Sequence, residues 1–443
     1  MLKAGVAIRD ITPDCQLEMA GYPGGRSAKI AHDPLYASAF YFENEKERVL
    51  ILASDLICMS IDRAAELRML IEKHTGIPRN NVMVGCSHTH SGPVTLGLEW
   101  QAVASRKEMY PQNNDKIRDR MLEAAKEAVE TAFDAVVGWG SGRCGKEQGV
   151  GGNRHDAENG PCDPSVNVLA IRDLSGVLRG CVVNYSLHPT VLHADNLFYT
   201  ADYPCYIRQT VNSKNPHMVF GFMVGATGDQ SSRFFRRGQS FDEAKRIGGA
   251  IGQTAVEVLE TLSYTGNVEL ASAAMPAVPP VKQFPSHEEA LQKLDAAKKV
   301  YEELAEAQAP YSKVRAAQSL MEGALCVVNQ TRSLQNMTLE ELLEPNLPIE
   351  CHAVRVGDCC FLGVGGECFV GLSDQIKAAS PYALTILSCQ TNGCTKGYLC
   401  TDEAFERQCY EAQATCFARG TERTVVEAAV QAIRMTGERR NAT

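Results

Sequence analysis

The sequence holds no Cys-x-x-Cys pair, which removes a thioredoxin-like redox motif and a zinc ribbon from consideration. Nor does any apolar run approach the roughly 20 residues of a transmembrane helix. The apolar start Met1-Leu2-Lys3-Ala4-Gly5-Val6-Ala7-Ile8 is broken by Arg9 before a signal-peptide h-region can form. Positive charge is in deficit: 44 Lys and Arg face 53 Asp and Glu, a net charge of −9, which argues against nucleic acid or an anionic membrane as partner. No fixed-period repeat or low-complexity tract is present, so neither a solenoid nor a disordered array is expected.

What the chain does have is 443 residues of ordinary globular composition, with 44% hydrophobic and 22% charged residues. That length suits two or three domains, or one large α/β unit with insertions. Its 17 cysteines are odd in number and scattered, and Cys58, Cys181, Cys326, Cys359 and Cys360 sit in apolar runs. They read as free thiols behaving as small hydrophobes, in a soluble cytoplasmic protein.

To about residue 270, short β-branched runs alternate with helical stretches. Arg48 to Asp55 reads as a buried strand, a helix follows from Ser60 to Thr75, and Asn81 to Ser87 is a second strand. A long helix over Asp115 to Phe133 follows, then strands at Val136–Gly142, Val166–Arg172, Arg179–Ser186 and Met218–Val224 and a helix at Phe241–Leu262. The prolines at 276, 279, 280 and 285 mark a connector, and His287 to Met321 reads as two helices broken at Pro310, with Ser286 as N-cap. The expected fold is α/β: a mixed β-sheet core flanked by helices, with residues 1–272 and 345–443 forming one unit and 273–344 a connector and helical insertion. Late in the chain, Cys351–Val356 and Cys359–Val364 form a hairpin around Gly357-Asp358; Gly371–Ala379 and Thr421–Met435 are helical and Ala383–Ser388 is a strand.

Chemistry concentrates where strands end. Ser87-His88-Thr89-His90-Ser91-Gly92-Pro93 follows a buried strand, and a pleated continuation would turn His88 and His90 to one side, onto one metal ion or one substrate atom. A second strand delivers His188, with His193 a few residues on; either is a candidate third ligand. Gly225-Ala226-Thr227-Gly228-Asp229-Gln230-Ser231 also follows a strand, but has neither a P-loop ending nor a Gly-x-Ser-x-Gly elbow. Glu367, in Gly363-Val364-Gly365-Gly366-Glu367, is either a carboxylate stabilised by a helix N-terminus or a metal ligand. Histidines plus a carboxylate suit zinc, which in catalytic sites keeps a position open for water.

The order of these motifs resembles the neutral/alkaline ceramidases, zinc amidases that cleave the N-acyl bond of ceramide. The likeness runs through Gly5–Thr12 with Met19-Ala20-Gly21-Tyr22, Ala53-Ser54-Asp55-Leu56, Ser87–Pro93, Asn153-Arg154, His188, Gly228–Ser231, Phe241-Asp242, Gly365-Gly366-Glu367 and Gly397–Thr401. It implies a member consisting of the catalytic domain, with zinc on His88, His188, Glu367 and Tyr398. It also implies His90, Arg154 and Tyr410 around the scissile carbonyl, Ser231 in contact with substrate, and Asp202 as a substrate-side or supporting residue. The family's serine segment usually ends Ser-Pro-Asn, whereas here Ser232-Arg233 follows, so an extra cation joins the substrate rim. Phe234, Phe235, Arg236 and Arg237 come next, a combination suited to an anionic head group or to a solvated loop. The expected function is zinc-dependent hydrolysis of an N-acyl amide, ceramide or a more soluble compound, by a protein that is free to oligomerise. The alternatives are an esterase, lactonase or phosphodiesterase on the same scaffold, or a metal-retaining binding protein.

Overall fold

A computed structural model describes residues 1–22, 25–98, 108–395 and 397–438. Eight strands form the larger sheet: β1 (Lys3–Asp10), β2 (Tyr36–Glu43), β3 (Arg48–Ser54), β4 (Val82–Cys86), β5 (Phe133–Arg143), β6 (Ser165–Asp173), β7 (Leu178–Tyr185) and β8 (Val219–Val224), in the order β8-β7-β6-β5-β1-β2-β3-β4. Among the described residues the backbone ladder between its two halves consists of Lys3 and Ala4 opposite Asp134 and Phe133. The halves fold across one another. A Cβ on Gly221 of β8 would meet the Phe40 ring and lie 3.3 Å from the Ala53 Cβ, so the crossing is close enough to require glycine. The second sheet holds β9 (Leu270–Ala277), β10 (Ile349–Val356), β11 (Cys359–Val364) and β12 (Leu384–Ser388), in that order. Phe40, Phe42, Ile51, Met83, Val182, Met223, Val354, Phe361 and Ile386 make one apolar core between these layers.

Helices cover the outside. α1 (Ile61–Thr75) and α2 (Tyr110–Glu130) lie on the first half-sheet; α3 (Tyr203–Lys214) and α4 (Phe241–Thr261) lie on the second. α5 (His287–Glu306) and α6 (Tyr311–Ser333) pack on each other as the insertion, followed by the short α7 (Leu339–Leu343). α8 (Val370–Ala379), α9 (Asp402–Arg407), α10 (Tyr410–Ala414) and α11 (Thr421–Glu438) complete the set. Ser60, read as the first residue of α1, instead caps it through the Arg63 N–H, and Ser286 opens α5 with a reciprocal cap from Glu289, as the sequence suggests. All 17 cysteines are free, and no helix among the described residues is long and apolar enough to cross a membrane.

Two expectations shift. Residues 273–277, read as the start of a connector, continue β9, with Pro276 opposite Glu350. Because β9 is an edge strand, proline's missing N–H costs no ladder bond there. α2 starts at Tyr110, five residues before the expected Asp115, with Pro111 in its first turn, where proline is tolerated.

Three parallel pairs set the site: β3 with β4, β7 with β8, and β11 with β12. Each pair releases its loops from carboxyl ends, the place where open α/β sheets bind ligands. Asn392, in the loop after β12, holds two of these layers in register. Its Oδ1 accepts the Val84 N–H of β4 at 2.8 Å, and its Nδ2 donates to Glu350 Oε1 at 2.8 Å and faces His352 Nδ1 at 2.8 Å. Arg68 of α1 in turn grips both Glu350 oxygens, at 3.1 and 2.9 Å. Asn392→Ala strands the buried Val84 N–H and is expected to cost about 3 kcal/mol, seen as a lower urea midpoint at unchanged m.

Candidate metal centre

β4 ends at Cys86, and the chain leaves the pleat: Ser87 N–H donates to Ser54 O at 2.8 Å, His88 N–H donates to Leu56 O at 2.9 Å, and His88 takes a left-handed φ of +64°. His88 and His90 do converge, with ring centroids 4.9 Å apart, but the loop conformation brings them together rather than strand alternation. His188 arrives from the loop after β7, its ring 5.0 Å from His88 and 5.7 Å from His90. Nitrogen atoms of His88, His90 and His188 all lie within 4.8 Å of one another. His193, the other candidate third ligand, lies tilted against Tyr22 with ring centroids 4.9 Å apart and stands outside this group.

Each histidine is fixed by a backbone carbonyl. His88 Nδ1 faces Ile57 O at 2.9 Å, His90 Nδ1 faces Gly21 O at 3.1 Å, and His188 Nδ1 faces Thr227 O at 2.7 Å and Gln230 O at 3.1 Å. A carbonyl only accepts, so each Nδ1 carries a proton, and each ring in its neutral form presents an Nε2 lone pair to the centre. The Nε2 atoms of His88 and His90 are 3.3 Å apart. Glu367 Oε2 lies 3.0 Å from His188 Nε2 and 3.6 Å from His88 Nε2. Donors around a tetrahedral ion with bonds of about 2.0–2.1 Å stand about 3.3 Å apart, so these spacings fit one small divalent cation.

Glu367 belongs to a two-residue strand, Glu367–Cys368, parallel to Tyr398–Leu399, which sets Glu367 beside Tyr398. At the start of α8 it is Asp229 that takes a backbone donor, the Val370 N–H donating to Asp229 Oδ1 at 3.0 Å. Asp229 also receives Asn153 Nδ2 at 3.1 Å and Gln230 Nε2 at 3.0 Å, so it ties the Arg154 strand to the loop carrying Ser231. Tyr398 presents its ring to the Arg154 guanidinium, 5.1 Å from the centroid, and to Tyr410, 5.8 Å between rings.

The charges are mutually adjusted. Burial opposes ionisation of Glu367, yet His88 and His188 hold its carboxyl well below the usual range. His90 is pushed well below its ordinary value by burial and by its two histidine neighbours; His188 is lowered chiefly by burial. In His88 burial is outweighed by Glu367, and the net direction is up. Burial and then Glu367 keep the Tyr398 phenol protonated far above its ordinary value, a preference only a directly bound cation would reverse.

Behind this group lies a network that no motif announced. Glu411, almost fully buried on α10 beside Tyr410, pairs with Arg154 and, at 3.0 Å, with His155. His155, Cys409 and Glu411 also bring donor atoms within 4.8 Å of one another, but a guanidinium already sits on that carboxylate, and the cluster serves as an ion pair. The signal that would have found Glu411 is its adjacency to Tyr410, too weak to stand alone. Ser231 is buried opposite Gly152 in a short antiparallel pair, and its Oγ accepts the Arg233 N–H at 3.1 Å. Asp202 is spent on the backbone. It caps α3 through Tyr203 N–H at 2.7 Å and accepts from Val191 and Leu192 at 3.3 and 3.1 Å, fixing the segment after His188; burial nonetheless raises its carboxyl to about 6.

Fold and donor set together define an α/β protein that gathers histidines and a carboxylate on loops at the carboxyl ends of its parallel strand pairs. Among solved structures, this fold is shared with neutral ceramidase from Pseudomonas aeruginosa, which aligns at a TM-score of 0.72 and 18% identity over 99% of this chain and 75% of that one. A ceramidase complexed with C2 aligns at 0.71 and 17% identity, with the same two coverages. No family model and no curated protein matches the sequence.

Two outcomes test the geometry. Gly21 sits at φ +96°, and a Cβ there would collide with the His90 ring, so Gly21→Ala should swing His90 away and weaken metal retention without unfolding the chain, checked by metal analysis alongside circular dichroism. Burial would raise the Glu411 carboxyl, but Arg154 and His155 hold it at about 2, against an ordinary 4.5. A depressed acid contributes stability that is complete above pH 4.5 and is lost as pH falls toward 2, here about 3 kcal/mol. Glu411→Gln should flatten that acid limb in a series of denaturant melts and lower stability at pH 7, since Arg154 is left buried and unpaired.

Proposed function

We propose that this protein is a zinc-dependent amidohydrolase of the neutral ceramidase type, cleaving an N-acyl amide bond. The observation that carries the reading is the set of Nε2 lone pairs on His88, His90 and His188, locked by backbone carbonyls and aimed at one another beside Glu367 Oε2. With the three rings neutral, such an arrangement is repulsive without a cation. His88, His188, Glu367 and Tyr398 would hold the ion, and its nitrogen and oxygen donors suit zinc. Zinc supplies Lewis-acid polarisation of a carbonyl and a nucleophile available near neutral pH.

The chain's own residues do the rest. His90, kept neutral by burial and its neighbours, presents Nε2 beside that of His88, where it can accept a proton or a hydrogen bond from substrate. Arg154 stays charged because Glu411 more than offsets its burial, and with the protonated Tyr410 it offers donors to the oxyanion that develops as the carbonyl is attacked. Ser231 lines the substrate side, and Glu367 or a protonated neighbour relays a proton to the leaving amine. That the solved structures sharing the fold are ceramidases favours an amide over an ester. A cytoplasmic setting belongs to the same reading, supported by the free cysteines.

Wild-type protein is expected to hold one zinc per chain and to hydrolyse an N-acyl reporter faster than the matched O-acyl one. His88→Ala and Glu367→Gln should each lose stoichiometric zinc by elemental analysis. Zinc retained by both variants would remove the ligand assignment, and O-acyl preference would move the function to the esterases.

A further inference from the structure

Arg233 is half-buried beside the proposed active site, yet among the described residues its guanidinium meets no carboxylate and makes no hydrogen bond. Its backbone is firmly placed, because its N–H donates to Ser231 Oγ and Ser231 pairs with Gly152, two residues before Arg154. The surroundings add positive charge rather than relieving it. Burial first, then Arg315 and Arg154, lower the Arg233 guanidinium to about 10, with Glu411 opposing them. Arg315 comes from α6 of the insertion and is held by Glu322 at 3.2 Å. Arg236, on the same loop as Arg233, donates to Thr190 O at 2.8 Å and Val191 O at 3.2 Å, and so also has no anion on it.

These arginines flank His193, which burial, Arg236 and Arg315 press down to about 4, with Asp195 the counteracting charge. From His193 the path back to the centre is short. Its ring is 4.9 Å from Tyr22, and Tyr22 is 5.1 Å from His90. In a chain with a net charge of −9, two of the nearby acids are committed elsewhere, Glu411 to Arg154 and His155 and Glu322 to Arg315, and among the described residues Asp195 makes no ion pair with Arg233. A desolvated guanidinium without a partner is costly unless an anion completes it, and its planar fork matches an oxyanion.

We propose that Arg233, with Arg315 of the insertion beside it, is a subsite for an oxyanion carried by the substrate, so that the preferred substrates are N-acyl amides bearing a carboxylate or phosphate rather than neutral lipid amides. The inference rests on the amidohydrolase reading and names its substrate class.

The test uses the zinc-loaded full chain with two matched pairs: N-dodecanoylglycine against its primary amide, and N-dodecanoyl-phosphoethanolamine against N-dodecanoylethanolamine. Both kcat/KM and calorimetric binding are read. The wild type should favour the anionic member of at least one pair by about tenfold or more, the pair concerned distinguishing carboxylate from phosphate. Arg233→Gln should reduce that preference at least tenfold, Arg315→Gln should reduce it less, and Arg233→Lys should keep part of it. Equal handling of both members by the wild type, or a preference that survives Arg233→Gln, overturns the subsite. Anion-selective binding that depends on Arg233, with no turnover of any substrate, would leave the subsite standing and remove the amidase reading.

Discussion

The structure depends on backbone carbonyls that dictate which nitrogen of each histidine is protonated. Ile57, Gly21, Thr227 and Gln230 each turn a carbonyl to an imidazole Nδ1. A histidine free to choose its tautomer would relieve the crowding at the centre by donating a proton across it; these are denied that choice. The strained backbone at His88 and the glycine at Gly21 are what this arrangement requires of the local chain. Around it, the parallel strand pairs act as three rigid stems whose tips converge.

A second constraint sits one layer out. Arg154 is held by Glu411, Glu411 follows Tyr410, and α10, which carries both, packs against α6 of the insertion. Lys282 Nζ donates to Gln413 O at 2.6 Å, and Gln330 Nε2 donates to Ala414 O at 2.6 Å, fastening the last turn of α10 to the connector and to α6. The insertion is thus fixed to the short helix that aims Tyr410 and anchors Arg154.

Much of this was legible in the sequence because local signals and tertiary needs agreed. β3, β4, β7 and β8 are dense in Val, Ile, Leu and Met, as strands buried on both faces must be, and Ser286 caps the helix it precedes. β1 and β2 went unread: Lys3–Asp10 and Tyr36–Glu43 alternate too weakly, and it is pairing in the sheet, of β1 with β2 and β5 and of β2 with β3, that makes them strands. Pro276 misled because edge position is a property of the sheet, invisible in one strand. At the site, His88, His90, His188 and Glu367 stood out by chemistry and by position after strands. Tyr398 came only through the family resemblance, since a phenol carries no ligand signature of its own. Glu411 and Asp229 were missed as working residues for a plainer reason: an acid's importance here depends on which arginine or helix end the fold brings to it.

The insertion leaves the second sheet from β9 and returns on β10, and at its base Ala277 lies directly opposite Ile349. Its stem is therefore closed by neighbouring antiparallel strands, as in an oversized hairpin. Closure entropy grows only slowly with the length of such an excursion, so its tip can be lengthened, trimmed or rewritten with little penalty to the framework. A scaffold built this way can vary the far end of its insertion while the histidine cluster stays untouched.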